Sequence, residues 1–163
     1  MTTNILIVCA DNSACSILAE GMLNHWAKRF EKNVRAFSAG RSPKGHVDPL
    51  ALEVLRRAGA DTMNLRSKNW DVFASAQAPR MRTVITVCAP TTGGCCPVLP
   101  GMPLSVYWDF CDPANAPATE RRWAFEAARQ WISDRMMQLA ELPFEKMSNP
   151  DLERSLLVIG RST

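Results

Sequence analysis

Short apolar runs rich in β-branched residues alternate along the chain with longer segments whose apolar residues recur every three or four positions. Ile5 to Val8 is the first run; after a polar loop comes Ser16-Ile-Leu-Ala-Glu-Gly-Met-Leu-Asn-His-Trp-Ala, at helical spacing, so strand, loop and helix are predicted in that order. Val34 to Ser38 predicts a second strand, closed by Ala39-Gly40. Asp48-Pro49 then opens a helix over Leu50 to Gly59, with Asp as N-cap, Pro at the first helical position and Gly near the end. Thr83 to Val87 predicts a third strand with Cys88 just past its end, and Leu104 to Trp108 a weaker fourth. The longest helix is expected from Ala118 to Leu142, through Trp123, Phe125, Ala127, Ala128, Trp131, Ile132 and Met136. A short amphipathic helix is expected after Asn149-Pro150.

Strands alternating with helices predict an α/β fold with a parallel sheet covered on both faces. In such folds the chemistry gathers beyond the carboxyl ends of the strands. Cys9, Cys88 and the segment after Trp108 all fall at such ends. Residues 1–143 read as the domain proper, and 144–163 as a helical extension packed on it or on a second subunit, which suits a monomer or a weak homodimer.

Composition narrows the class. At 163 residues, 47% apolar, 21% charged and 7% aromatic, the chain reads as one ordinary domain, able to fold without a disulfide framework or structural metal. The apolar runs fall far short of the ~20 residues that span a bilayer. The start, MTTNILIVCADN, lacks a basic leader segment, so a cytoplasmic protein with no membrane partner is expected. A net charge of +3 suits an anionic small molecule, whereas nucleic-acid binding calls for clustered Lys and Arg, and here the charges are scattered. Six cysteines, at positions 9, 15, 88, 95, 96 and 111, are many for a reducing compartment, where thiols are more often catalytic, redox-active or metal-binding. Cys88 and Cys96 lack zinc-ligand spacing, and His25 beside Trp26 and His46 in a loop are poor metal ligands, so no metal is expected.

The loop Cys9-Ala10-Asp11-Asn12-Ser13-Ala14-Cys15-Ser16 joins the first strand to the first helix. Such a loop can turn backbone N–H groups inward at a helix amino terminus, where a phosphate-sized oxyanion fits. The same field is expected to lower the pKa of Cys9 and make it a thiolate nucleophile. The plainer reading is a buried cysteine at a strand end.

Read together and in order, ILIVCADNSACSILAEGMLNHWA, FSAGRSP, LRSKNWDVFA, VITVCAP, CCPVLPGMP and YWDFCDPA resemble the arsenate reductases built on the low-molecular-weight protein tyrosine phosphatase fold. The likeness spans nearly the whole chain, and Cys96-Pro-Val-Leu-Pro-Gly is the part specific to the reductase branch. It implies a four-stranded parallel sheet flanked by helices and a role in arsenic resistance. It implies that Cys9 attacks arsenate, that residues 10–16 bind the anion with Asn12 and Ser16 shaping the loop, and that Asp112 is the general acid. Cys88 would then attack Cys9 and release arsenite, and Cys96 would attack Cys88. The disulfide passes to an external reductant, thioredoxin or glutaredoxin with glutathione, and no bound cofactor is implied.

The sequence departs from that pattern inside the loop. Phosphatase-type loops carry Arg six residues after the nucleophile, and this chain has Cys15 there, so the bidentate guanidinium clamp is missing. Losing a preorganised donor of that kind costs about 2.7–4 kcal/mol. Asp11 opposes an anion, and position 10, commonly Thr, is Ala. Three readings stay open: a weakened reductase helped by backbone N–H groups, the helix dipole and Arg41 or another nearby Arg; a non-catalytic member that binds an oxyanion, or holds arsenite or a soft metal through Cys9, Cys15 and Cys88; and an Arg-to-Cys variant or sequence error. A phosphatase using Cys9 and Asp112 alone is the enzyme rival. Cys15 also opens a route to a disulfide with Cys9. Cys95 and Cys111 read as semi-buried thiols, and Trp123, Phe125 and Trp131 as core or interface.

Overall fold

In the computed structural model, which describes residues 1–87, 97–110 and 112–161, the apolar runs form one sheet of four parallel strands. These are β1 (Thr3–Cys9), β2 (Val34–Gly40), β3 (Thr83–Thr86) and β4 (Leu104–Tyr107), in the spatial order β2-β1-β3-β4. β1 lies between β2 and β3, with Cys9 opposite Gly40 and Val8 opposite Thr86. The chain leaves β1 in one direction to form β2, and in the other to form β3 and β4. The crevice beyond the carboxyl ends of β1 and β3 is therefore the switch point where ligands bind in open α/β sheets.

Burial on both faces explains why β1 reads as a continuous apolar run rather than an alternating one. Ile5, Ile7 and Cys9 share one core with the helices α1 (Cys15–Arg29), α2 (Pro49–Arg57), α3 (Arg121–Ala140) and α4 (Asn149–Arg161). Leu6 and Val8 point the other way, onto Ala39, Phe73, Met81, Val84 and Leu99. Among the described residues, the second face is closed by the 3₁₀ turn Trp70–Phe73 and by loop residues.

α2 begins as its sequence signals require. Asp48 accepts a hydrogen bond from the Leu50 N–H at 2.9 Å, Pro49 follows, and Gly59 takes φ +87° beyond the last turn. α3 is shorter than the 118–142 expected. A turn closed by Glu120 N–H to the Pro117 carbonyl (2.9 Å) occupies its start, and the Leu142 N–H donates to the Leu139 carbonyl at 3.2 Å, in a tightened last turn before Pro143. α4 buries Leu152, Leu156 and Ile159, and the buried Trp108 donates its indole N–H to the Leu156 carbonyl at 3.0 Å. Among the described residues no helix is long and apolar enough to cross a membrane.

Candidate active site

Cys9 ends β1, and the loop that follows is held from outside by its carbonyls. Those of Cys9, Ala10, Asp11 and Ser13 accept from the N–H groups of Arg41, Ser42, Lys44 and Asp48 at 3.3, 2.8, 3.0 and 3.0 Å. A trans peptide sets each N–H opposite the preceding carbonyl, so outward carbonyls turn the N–H groups of residues 10, 11, 12 and 14 to the other side. Asn12 N–H meets the Cys9 sulfur at 3.2 Å. α1 starts with no side-chain cap, which leaves its first N–H groups facing the same end. Gly40 makes the close approach of β2 feasible, because a Cβ there would lie 2.8 Å from the Ala10 carbonyl oxygen.

Asn12 is the buried post of the loop and sits at φ 47°, in the left-handed region that Asn tolerates. Its Oδ1 accepts from Lys68 N–H at 2.8 Å, and its Nδ2 donates to Ser16 Oγ and Ser38 Oγ at 2.9 and 3.0 Å. Ser16 Oγ lies 2.9 Å from Cys9 Sγ. Since Ser16 already accepts from Asn12, its own proton is available to the sulfur when the thiol ionises. Ser38 donates to Glu20 Oε1 at 2.5 Å, and Lys68 Nζ stands 3.9 Å from the same oxygen. Burial holds the Glu20 carboxyl above its ordinary value, with the Lys68 charge opposing.

Sequence reasoning found Asn12 and Ser16 but missed Glu20, Ser38 and Lys68, which set their orientation. A signal was there: Asn12, Ser16 and Glu20 recur every fourth residue, and Glu20 is the only charged side chain from residue 15 to residue 27.

The expectation of a lowered Cys9 pKa is corrected. Burial pushes the thiol from 9.0 up to about 11; the Ser16 hydroxyl pulls it back, the Asp11 charge adds to the rise, and the N–H groups of Asn12 and Ser16 oppose it. The loop N–H groups therefore do not offset the loss of water, and position 15 contributes a buried thiol rather than a cation. Cys9 Sγ also donates toward Asp11 Oδ1 at 3.7 Å, which gives the thiol proton an acceptor. Asp11 in turn pairs with Lys44 Nζ at 3.5 Å, which brings a cation beside the loop; Arg41 and Lys44 are both exposed residues.

Asp112 faces the same cleft as Cys9. It caps the 3₁₀ turn Pro113–Asn115 by accepting from Ala114 N–H at 2.9 Å. Burial raises its carboxyl above the ordinary value, the Ala114 hydrogen bond opposes, and the Asp11 charge adds to the rise. The cleft holds about 1020 Å³, and its lining includes Cys9, Asp11, Cys15, Asp109 and Asp112 together with Phe110, Trp123, Trp131 and small α3 residues. Phe125 is core as expected and the partly buried Trp131 packs against the core, while Trp123 is 75% exposed; Trp123 and Trp131 both line the cleft. Trp131 packs edge-on to Phe110 at 4.5 Å between ring centroids, and the Arg135 guanidinium stacks on its ring.

Cys9 and Cys15 are both thiols rather than disulfide partners. Cys88, Cys95, Cys96 and Cys111 lie outside the described residues. His25 packs edge-on to Trp26, and His46 is exposed. Among the described residues no group of three or more His, Cys, Asp or Glu is placed to hold a metal ion.

Solved structures share this fold. An arsenate reductase from Archaeoglobus fulgidus DSM 4304 is 25% identical, with 85% of this chain and 99% of that one covered and a TM-score of 0.65. A low molecular weight protein tyrosine phosphatase from T. tengcongensis is 22% identical, with coverages of 90% and 100% and a TM-score of 0.65. A thioredoxin-dependent arsenate reductase from Corynebacterium glutamicum is 22% identical, with coverages of 86% and 64% and a TM-score of 0.56. No curated protein is a significant sequence match. Residues 4–149 match the family described as low molecular weight phosphotyrosine protein phosphatase. With the β2-β1-β3-β4 sheet and the cysteine loop at its switch point, the chain belongs to that family, which includes both arsenate reductases and phosphatases.

Proposed function

We propose that the protein is an arsenate reductase working by thiol relay, with a role in arsenic resistance in the cytoplasm. The observation that carries the reading is one cleft joining the Cys9 thiol, the N–H groups of its loop and a carboxyl group, Asp112, biased toward its protonated form. The 25% identity to an arsenate reductase along almost its full length supports the arsenic branch, as does the Cys96-Pro-Val-Leu-Pro-Gly segment.

Cys9 sulfur forms a bond to arsenic, and one arsenate oxygen leaves as water, taking the thiol proton and a proton from Asp112. Cys88 then attacks the Cys9 sulfur. The S–S bond forms, the S–As bond breaks, and its electron pair stays on arsenic, which leaves as arsenite. Cys96 attacks Cys88 and frees Cys9, and an external dithiol, thioredoxin or glutaredoxin with glutathione, reduces the Cys88–Cys96 disulfide. Residues 10–16 hold the oxyanion through their backbone N–H groups, with the Lys44–Asp11 ion pair beside the loop. A Cys96→Ser variant treated with arsenate should accumulate a Cys9–Cys88 disulfide, read by peptide mapping, with one arsenite released per chain. Release without that disulfide overturns the relay.

The aromatic wall of the cleft favours a second reading, hydrolysis of an aryl phosphate. That reaction needs Cys9 and Asp112 but not Cys88. Cys88→Ala therefore separates the two: phosphatase turnover survives the substitution and arsenate reduction does not.

A further inference from the structure

Arsenate is a small ion, yet the cleft in front of Cys9 holds about 1020 Å³, the size of a pocket that takes a drug-sized ligand. We propose that the chain also reduces aromatic arsonates, R–AsO₃H⁻, with the arsenic on Cys9 and the ring R seated among Phe110, Trp123 and Trp131; the inference rests on the thiol relay proposed above. Trp123, Ala127 and Trp131 recur every fourth residue and all line the cleft, so they share one face of α3, with an alanine flooring the slot between two indoles. Trp131 is fixed before a ligand arrives, because Phe110 packs edge-on to it at 4.5 Å between ring centroids and the Arg135 guanidinium stacks on its ring. Position 15 opens the way from Cys9 to that slot. In-line attack at arsenic puts the sulfur and the departing oxygen at the two apices and three groups on the equator. With arsenate all three are oxygens. With an arsonate one is the ring carbon, which needs an equatorial direction that no arginine occupies. Here that loop position is the buried Cys15, which lines the same cleft as the aromatic residues. The two equatorial oxygens keep the loop N–H groups that would hold arsenate.

The As–C bond is untouched throughout. Cys9 sulfur bonds to arsenic, and one arsonate oxygen leaves as water with the thiol proton and a proton from Asp112. By the proposed relay, Cys88 then attacks the Cys9 sulfur. The S–S bond forms, the S–As bond breaks with its electron pair left on arsenic, the Cys88 proton passes to the arsenic-bound oxygen, and R–As(OH)₂ leaves. Arsenic falls from pentavalent to trivalent while two thiols become one disulfide, which the external dithiol reduces as it does after arsenate.

The test is a single turnover. Reduced chain is mixed with phenylarsonate or with arsenate in the absence of external reductant and quenched in acid with excess dimercaptopropanol, which frees protein-bound product. The trivalent product is then quantified by liquid chromatography and mass spectrometry, with Cys9→Ser as the blank. The unmodified chain should yield trivalent phenylarsenic above the blank, up to one equivalent per chain. In Trp123→Ala, a truncation at a 75% exposed position, the ratio of the phenylarsonate to the arsenate rate constant should fall by about 3- to 10-fold, the worth of one aromatic contact. In Cys15→Arg the arsenate constant should rise and the phenylarsonate constant should not, so the ratio falls by about 100-fold or more. If Cys15→Arg does not fold, Trp123→Ala decides. Reduction of arsenate but not phenylarsonate, an unchanged ratio in Trp123→Ala, or both constants rising together in Cys15→Arg overturns the proposal and leaves the reductase reading standing. Reduction of phenylarsonate alone supports the proposal and overturns arsenate as the substrate, and reduction of neither overturns both.

Discussion

Replacing Cys15 with Arg puts a guanidinium at the amino terminus of α1, in the cleft that Cys9 also lines. A unit charge about 4 Å from a thiolate, at an effective dielectric of about 20, favours the ionised form by about 4 kcal/mol. That equals about three pK units. The Cys9 thiol, held at about 11 by burial, should fall to about 8 in the variant. At pH 7.5 its ionised fraction would rise from about 3 in 10,000 to about one in four. A less basic thiolate is also less nucleophilic, by about 15- to 30-fold over that range. The net gain in Cys9 alkylation rate should be about 25- to 50-fold. Iodoacetamide labelling across pH, quantified on the tryptic peptide 1–28 and on the shorter peptide that the new Arg creates, measures it. A wild-type profile that inflects below about pH 9, or a variant profile that superimposes on it, refutes the reasoning.

Asp112→Asn keeps an oxygen to accept the Ala114 N–H and so keeps the turn, but it removes the acid. Turnover should drop by about 10²- to 10⁴-fold with little change in Tm, and an equal fall in both readouts would reassign Asp112 to structure. Because burial raises Glu20 in the folded state, the stability that group contributes is full below about pH 4.5 and is lost as pH rises through its folded value. Glu20→Gln, which still accepts from Ser38, should therefore gain on the parent in urea midpoint as pH rises from about 4 to about 7, and a constant difference contradicts the assignment. Gly160→Ala on α4 would put a Cβ 2.5 Å from the buried Trp108 ring. Chemical denaturation should record a loss of about 1–3 kcal/mol despite the better helix propensity, and a gain would mean that α4 does not dock on Trp108 in solution.

The strands and helices were legible because the signals were local. β1 is apolar at consecutive positions, and Asp48-Pro49 carries a cap whose mechanism needs no tertiary partner. What the sequence could not give is what three-dimensional closure decides. The Glu20–Ser38–Asn12–Ser16 chain links α1 to β2, and Lys68 reaches it from a third segment. The expected depression of the Cys9 pKa rested on the helix end alone, and burial, a property of the assembled core, outweighed it. Trp123 and Trp131 fit the helical period of α3 without revealing that its amino-terminal half borders a cleft. Asp112 was found through the family pattern, since Asp-Pro by itself marks only a turn.

Reduction of arsenate under multiple turnover, followed as NADPH oxidation with thioredoxin and thioredoxin reductase and repeated with glutaredoxin and glutathione, tests the proposed activity most directly. The unmodified chain should consume NADPH in proportion to arsenate over many equivalents, with activity abolished in Cys9→Ser and in Cys88→Ala. NADPH consumption that stops at or below one equivalent per chain with both donors, or that survives in Cys88→Ala, contradicts it.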